Sequence, residues 1–313
     1  MGDRRFWCTI FQNPWRRLEM IKRILSITLG VLVLAILIAH ILASPAPDHP
    51  FFDQFGAHQY PLVIAHAGSE LYPTDTFYAL EKYHDMGVDI LEMDLHMTAD
   101  GEIILIHDDT LERTTDGSGD VREMTLAEIQ VFDAGYYWTQ DDQTYPFRGL
   151  GITVPTLRQV FEAFPDSAMI MEIKQDTPSM AAPLCDLIRQ YNMQNKVMVP
   201  SFSHTALQEF RQVCPEVATA ASEDEVRDFV IRGFLLMAGT ITPQYQALQV
   251  PESRDGIPVV TRLLLWFARN RNVEVHIWTI NEPDDMQRFI DMGLDGIMTD
   301  RTDTLLEILG REQ

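Results

Sequence analysis

Hydrophobic residues form one long uninterrupted run near the start of this chain and many short runs after it. The long run, 24–43, is twenty residues without a formal charge at neutral pH. At a rise of 1.5 Å per residue, twenty helical residues span about 30 Å, the thickness of a membrane's hydrocarbon core. The run is apolar on every side, which disfavours an amphipathic core helix. It therefore predicts a transmembrane helix over 24–43.

Beyond a proline-containing spacer at 44–60, short β-rich apolar runs alternate with segments of helical periodicity. The predicted strands are 62–66, 88–95, 103–107, 168–173, 196–200, 216–220, 245–250, 273–280 and 295–299. The predicted helices are 75–86, 125–132, 178–192, 204–213, 223–237, 260–270 and 283–292. Strands that alternate with helices over about 250 residues favour a closed barrel over an open sheet. The predicted fold of 61–313 is therefore α/β, a (β/α)8 TIM barrel.

Nine predicted strands exceed the eight places of such a barrel. The connection between the second and third strands is too short for a crossover helix, and its Asp100-Gly101 pair is typical of a hairpin. We therefore interpret these two strands as a hairpin at the second barrel position. The turn-rich segment 109–155 that follows is interpreted as an insertion on the loop face, where barrel enzymes place their chemistry.

Charge is distributed unevenly about the long apolar run. The segment 1–23 has a net charge of +4, whereas the whole chain has a formal net charge of −22. Basic flanks stay on the cytoplasmic side, so the acidic domain is expected on the outer side, periplasmic or extracytoplasmic. A cleaved signal peptide is the alternative, although the run is longer than such peptides have and no clean A-x-A site follows it. Either interpretation exports the domain.

The acidic domain and the three cysteines limit the partners and the covalent chemistry. A strongly acidic surface is repelled by phosphate backbones, so no nucleic-acid partner is expected. Three cysteines do not make a disulfide framework. Cys8 is placed on the cytoplasmic side, while Cys185 and Cys214 either pair or remain buried thiols. The oligomeric state is left open.

Polar residues interrupt the second strand at every other position. Period-two alternation places Glu92, Asp94 and His96 on one face of that strand. Two carboxylates separated by one residue can converge on a hard cation that prefers oxygen ligands. An isolated pair of this kind is more often a solvated strand face, so the pattern alone does not decide the point.

Further polar residues stand at the ends of three predicted strands. His66 and His107 end two of them, and an imidazole can serve as general acid or general base near neutral pH. Glu172 lies in the strand at 168–173 and Lys174 directly follows that strand, so that the two side chains share one face. Glu172 is a third candidate oxygen ligand, and Lys174 is either an ordinary ion-pair partner or an anion contact.

These residues occur within motifs that resemble a known family. The ordered set comprises H-x-G from His66, E-x-D from Glu92, HDDTLERTTDG from His107 and E-x-K from Glu172. Together with the surrounding residues 64–135, it is similar to the opening of the glycerophosphodiester phosphodiesterases, a branch of the phospholipase-C-like barrels. The similarity resumes at 154–157, 200–204, 276–281 and 295–301.

The resemblance implies a role for each matching residue. His66 and His107 match the family's catalytic pair, and Glu92, Asp94 and Glu172 match its ligands for a divalent cation, Mg²⁺ or Ca²⁺. Two further positions match contacts in the substrate pocket, namely Lys174 and Trp278. Asp108 matches the family's H-D signature, with a cap or turn role as an equal alternative.

Two departures from the family pattern concern the substrate. Ala67 stands where the family has an arginine that contacts phosphate, and 73–76 reads P-T-D-T in place of P-E-N-T. Loss of a bidentate cation removes about 1.5–3 kcal/mol of charge-assisted hydrogen bonding. Lys174, the metal and Arg113 are the groups expected to compensate.

The expected activity is metal-dependent hydrolysis of small-molecule glycerophosphodiesters to sn-glycerol 3-phosphate and an alcohol. One alternative is a related phosphodiesterase of the phospholipase C, phospholipase D or lysophospholipase D kind, acting on lipids that the membrane helix would bring near. The other is a membrane-tethered binding protein that has lost activity.

Overall fold

The computed structural model describes residues 14–56, 59–67 and 70–311. Residues 1–13, which include Cys8 and most of the predicted basic segment, and Gly68 of the H-x-G motif lie outside the described residues. The predictions made for those positions therefore stay predictions.

Eight parallel strands form a nearly closed barrel, as predicted. They are Leu62–Ala65 (β1), Ile90–Met97 (β2), Ala168–Ile173 (β4), Val197–Val199 (β5), Ala218–Thr219 (β6), Ala247–Pro251 (β7), Glu274–Trp278 (β10) and Gly296–Thr299 (β11). Their order in the sheet is β6-β5-β4-β2-β1-β11-β10-β7. A parallel bridge between Ala220 and Ala247 joins the two ends of this order. The fold is therefore a TIM barrel.

The predicted hairpin is confirmed. Strand β3, Ile103–Leu105, pairs antiparallel with β2, with Leu105 opposite Leu95. The insertion that follows folds around its own small core, to which Leu111, Val121 and Ile129 contribute. Because this core is separate from the barrel's, the insertion extends the loop face without disturbing the barrel. A second antiparallel pair, Ser253–Arg254 (β8) with Ile257–Pro258 (β9), was not predicted.

The helices surround the barrel and also precede it. They are Pro14–Leu42 (α1), Pro50–Asp53 (α2), Phe77–Met86 (α3), Leu126–Ile129 (α4), Leu157–Ala163 (α5), Ala181–Gln190 (α6), His204–Val213 (α7), Glu223–Phe234 (α8), Arg262–Asn270 (α9), Pro283–Met292 (α10) and Thr302–Ile308 (α11). Two short 3-10 helices lie at Val121–Glu123 and Ala238–Thr240. Helices α2, α5 and α11 were missed because each has seven residues or fewer, too short for a clear helical period.

Helix α1 is long and apolar enough to cross a membrane. Its candidate membrane-spanning part, Arg17–Leu42, has a mean hydropathy of 2.7 over the best 18-residue window, and none of that window is buried against the rest of the protein. Nearly all of its apolar side chains are exposed, so this helix does not belong to the barrel core. The feature is described by length and composition alone.

The segment 44–60, interpreted from sequence as a spacer, packs against the end of the barrel where the strands begin. Phe51 is fully buried, in a cluster with Leu62, Ile64 and Ile170 from the barrel interior. The Ala46 amide donates to the Arg271 carbonyl at 2.8 Å. The connection between α1 and the barrel is therefore held in place by buried contacts.

Cys185 and Cys214 form a disulfide, which decides between the two alternatives left by the sequence. Their Cα atoms are 5.6 Å apart, within the range that a disulfide requires. The bond joins α6 to the residue that ends α7.

Candidate active site

The three acidic residues singled out from the sequence meet at the barrel interior. Asp94 on β2 lies directly beside Glu172 on β4 in the parallel register, and Glu92 precedes Asp94 on the same face of β2. One carboxylate oxygen from each of the three lies within 4.8 Å of the others. The cluster therefore depends on strand register, which fixes the backbone positions of all three residues.

The alternation of β2 explains how carboxylates can sit inside a barrel. Leu91, Met93 and Leu95 point outward into the apolar layer between strands and helices. The same alternation turns Glu92 and Asp94 inward, where each is less than 4 % exposed. Apolar burial of one face thus holds the acidic residues on the other face away from bulk water.

Lys174 forms an ion pair with two of the three carboxylates. Its Nζ lies 3.1 Å from Asp94 Oδ1 and 3.0 Å from Glu172 Oε2. Burial lowers the pKa of Lys174, but Asp94 and Glu172 outweigh that effect, so the pKa is raised overall. Lys174 therefore keeps its positive charge at neutral pH and occupies the mouth of the acidic cluster.

The cluster carries more negative charge than its surroundings balance. Burial, together with the neighbouring Asp94 carboxylate, raises the pKa of Glu92 to about 8 and that of Glu172 to about 7. Asp94 Oδ2 is buried and has no hydrogen-bond partner among the described residues. Converging oxygen ligands with an unpartnered buried oxygen fit a hard divalent cation, which would supply the missing positive charge.

A fourth buried carboxylate, Asp75, supports this cluster and was missed as a site residue. Its Oδ1 accepts a hydrogen bond from the Asp94 amide at 3.1 Å, and its own amide donates to the Ala67 carbonyl at 2.7 Å. Burial and the Asp94 charge raise the pKa of Asp75 well above its ordinary value. The signal was present: 73–76 departs from the family motif, and Asp75 has a φ of 52°, which Asp tolerates better than most residues.

His66 is held at the end of β1 by a chain of hydrogen bonds from the last two strands. Its Nδ1 lies 2.8 Å from Asp300 Oδ1, and Asn281 Nδ2 donates to Asp300 Oδ2 at 2.9 Å. Burial lowers the pKa of His66, but the bond to Asp300 and the charge of Glu92 outweigh it and raise the pKa to about 9. His66 is therefore protonated at neutral pH.

His107 follows β3 and is far more open to solvent, with 48 % of its side chain exposed. Its Nδ1 lies 2.7 Å from Asp108 Oδ1, and the same oxygen accepts from Arg113 Nη2 at 3.0 Å. The hydrogen bond from Arg113 lowers the pKa of Asp108. Arg113, expected as a substrate contact, is thus engaged with Asp108, and Asp108 orients His107.

An aromatic pair flanks the cluster on the side of Lys174. Trp278 ends β10 half-buried, and its ring lies 5.9 Å from the ring of Phe202 in a T-shaped arrangement. Lys174 Nζ is 5.8 Å from the centroid of the Phe202 ring. Phe202 was not singled out from sequence, because nothing in a loop phenylalanine distinguishes a pocket wall from a packing residue.

His96, the third polar residue of β2, is buried behind the site. Only 1 % of it is exposed, and its Nε2 lies 3.4 Å from the His107 carbonyl oxygen. Burial lowers its pKa, so it is uncharged at neutral pH. His96 supports the backbone beside His107 and does not join the carboxylate cluster.

Comparison with known proteins identifies the family of this chain. The model of the glycerophosphoryl diester phosphodiesterase family matches residues 66–304, a range that contains every site residue described above. The chain belongs to this family of enzymes.

Relatives and solved structures extend the match along nearly the whole barrel. A glycerophosphodiester phosphodiesterase of Caldanaerobacter subterraneus is 30 % identical over 79 % of this chain and 97 % of its own length. One from Bacillus subtilis is 31 % identical over 77 % of this chain and 84 % of its own length. An Oleispira antarctica phosphodiesterase, solved in complex with the product sn-glycerol-3-phosphate, superposes with a TM-score of 0.63 at 22 % identity, covering 80 % of this chain and 97 % of that one.

Proposed function

We propose that this member of the family hydrolyses glycerophosphodiesters to sn-glycerol 3-phosphate and an alcohol. The observation that carries the proposal is the meeting of three carboxylates within 4.8 Å, beside an imidazole that is paired with Asp300. The substrate class is supported by the activity for which the relatives from Caldanaerobacter and Bacillus are named.

Glu92, Asp94 and Glu172 are proposed to hold a divalent cation, Mg²⁺ or Ca²⁺. When bound, such an ion supplies positive charge that polarises a phosphoryl oxygen and lowers the pKa of a coordinated hydroxyl or water. Ala67, in the place of the family's arginine, donates its amide to Glu92 Oε2 at 2.9 Å. This position therefore orients a cation ligand and supplies no charge of its own to the phosphate.

The two histidines are assigned opposite roles in proton transfer. His66, protonated through its pairing with Asp300, donates a proton to the alkoxide that leaves phosphorus. His107, which is more exposed, accepts the proton of the attacking hydroxyl or water. Lys174 offsets charge that builds up on the phosphoryl oxygens. One P–O bond forms, one breaks, and the proton count is conserved.

Two histidine variants test this assignment. We expect His66→Ala and His107→Ala each to reduce kcat by about 10²–10⁴-fold, since each removes one proton-transfer group. Release of sn-glycerol 3-phosphate from glycerophosphocholine is the measurement, and an unchanged circular dichroism spectrum controls for folding. His84→Ala, on α3 away from the cluster, is the matched control. A variant of His66 or His107 with near-normal kcat would contradict the roles proposed here.

The protein is proposed to be a single-pass membrane protein with its N-terminus in the cytoplasm and its barrel outside. The basic flank of the apolar run supports this direction. The Cys185–Cys214 disulfide supports it independently, because such bonds persist in oxidising compartments.

The lipid-cleaving alternative is disfavoured by the position of the site. The chain enters the barrel at the end where the strands begin, through the contact between Ala46 and Arg271. The proposed catalytic residues stand toward the opposite end, where β1, β2 and β4 finish. A site turned away from the anchor favours diffusible diesters over lipids that remain in the bilayer.

A substrate panel separates the three functional hypotheses. The full chain in detergent is assayed with glycerophosphocholine, glycerophosphoethanolamine and lysophosphatidylcholine, each with Mg²⁺, Ca²⁺ or chelator. Higher kcat/KM on the two water-soluble diesters supports the proposal. Preference for the lysolipid favours the lysophospholipase D alternative, and no turnover of any substrate favours the inactive binding protein.

A further inference from the structure

An exposed apolar surface lies on the outside of the barrel, near the end of α1. It consists of six residues from the end of α8, the loop that follows and α9, which together are called the apolar patch. They are Ile231 (51 % exposed), Phe234 (59 %), Leu235 (63 %), Leu236 (70 %), Leu263 (39 %) and Trp266 (58 %). Large side chains exposed together in this way mark an interaction surface more often than isolated ones do.

The two helices that carry the patch are in contact. A Cβ built on Gly233 of α8 would lie 3.9 Å from the ring of Phe267 on α9. Leu263 and Trp266 are three residues apart on α9, and Ile231 and Phe234 are three residues apart on α8, so each pair shares one helix face. The patch therefore lies on two neighbouring helices and the loop that follows the first of them.

The end of α1 reaches this same place. The His40 ring packs directly against Gly239, in the short 3-10 helix that follows Leu235 and Leu236. Arg271, the residue that ends α9, donates from Nη1 to the Gly239 carbonyl at 3.1 Å and to the Ala43 carbonyl at 3.4 Å. The last turn of α1 and the ends of both patch helices are thus bound together.

We propose that the apolar patch inserts into the membrane that α1 spans. This inference rests on the membrane location proposed above. A helix that crosses the bilayer must leave it close to Ala43, and the contacts of Arg271 and His40 keep the patch beside that exit. Tryptophan and leucine side chains are suited to the boundary between headgroups and acyl chains.

Insertion of the patch fixes the direction in which the barrel faces. Four of the six patch residues lie at the end of α8 or just after it, and the chain enters beside the residue that ends α9; in a barrel both places are at the end where the strands begin. The proposed active site then opens away from the bilayer, toward the aqueous compartment. Water-soluble diesters reach such a site without crossing the lipid surface.

Tryptophan quenching by brominated lipid tests the proposal on the full chain. The protein is reconstituted into phosphatidylcholine vesicles, with and without bromine atoms in the upper part of the acyl chains. The signal of each tryptophan is the difference between the natural chain and its Trp→Phe variant. Trp266 reports the patch, Trp138 in the loop-face insertion is the control far from the bilayer, and retention of the protein on the vesicles after an alkaline carbonate wash reports anchoring by α1.

We expect the washed vesicles to retain the protein, and bromine to quench most of the Trp266 signal while leaving the Trp138 signal unchanged. Retention of the protein without quenching of Trp266 would overturn the patch proposal and leave the anchor intact. That outcome includes the case in which a second copy of the chain covers the patch and shields Trp266 from lipid. Loss of the protein in the wash together with an unquenched Trp266 would overturn both the anchor and the patch.

Discussion

Individual hydrogen bonds decide the chemical state of the site. His66 is the clearest case. Its Nδ1 pairs with Asp300, and the carboxylates of Glu92 and Asp94 lie near it in the barrel interior. This pairing leaves Nε2 as the nitrogen that can reach a substrate. A general acid requires the imidazolium form of His66. This form is stabilised by Asp300, which follows β11 and lies 234 positions further along the chain.

The variant Asp300→Asn tests whether Asp300 stabilises the protonated form of His66. The acid form of His66 is present below its pKa of about 9 and is lost as pH rises through that value. Removing the carboxylate charge lowers this pKa, so the alkaline limb of the kcat/KM profile should move down by about 1–3 pH units. Asp303→Asn, which breaks an exposed pair with Arg301 on the same side of the barrel, is the control. An alkaline limb that does not move would show that His66 is not the acid.

Only some of these residues were predictable from the sequence. Glu92 and Asp94 were, because strand alternation is a local property and places them on one face whatever the rest of the fold does. The sequence did not predict the roles of Asp300, Asn281 and Asp75, since each acquires its role from a partner on another strand or loop. The hydrogen bond from Arg113 to Asp108 was not predicted either, and the contact of Arg113 with substrate stays a prediction.

Among the secondary structure elements, the short helix α2 contributes a fully buried residue to the barrel interior. Its Phe51 fills the end of the barrel where the strands begin, packed against the interior residues Leu62 and Ile64. The N-terminal segment is therefore part of the barrel's core as well as the connection to α1.

We expect Phe51→Ala to lower the free energy of unfolding by about 3–5 kcal/mol, because it leaves a cavity in a fully buried position. Urea unfolding of the full chain in detergent, followed by circular dichroism, measures the change. Phe202→Ala, at a position that is 52 % exposed, should change the same quantity by less than about 1 kcal/mol. Equal effects of the two substitutions would mean that 44–60 is a free spacer after all.

Secondary structure was predictable wherever a segment was long and strongly periodic. Helices α7 and α10 match their predicted ranges, 204–213 and 283–292, and strand β4 matches 168–173. Helix α5 was missed, although Thr156 and Gln159 form a capping box that marks its start. Helix α11 starts without a side-chain cap, so its start had no local signal.

At the scale of the whole molecule, the proposed topology can be tested with reporter fusions. The basic segment before the apolar run and the acidic barrel after it predict that the C-terminus lies outside the cytoplasm. Alkaline phosphatase fused after Gln313 should be active, since that enzyme needs an oxidising compartment to form its disulfides. A cytoplasmic fluorescent protein fused at the same position should be dark. A bright fluorescent fusion with an inactive phosphatase would reverse the topology.

The central claim is that Glu92, Asp94 and Glu172 bind a divalent cation needed for hydrolysis. The most direct test is the release of sn-glycerol 3-phosphate from glycerophosphocholine by the chelator-treated full chain as Mg²⁺ or Ca²⁺ is added back. We predict no activity without cation, recovery on addition, and a shift to higher cation concentration for Glu172→Gln. Glu162→Gln, an exposed position, should behave as the natural chain does. Full activity in chelator, or the same cation dependence in Glu172→Gln, would contradict the account.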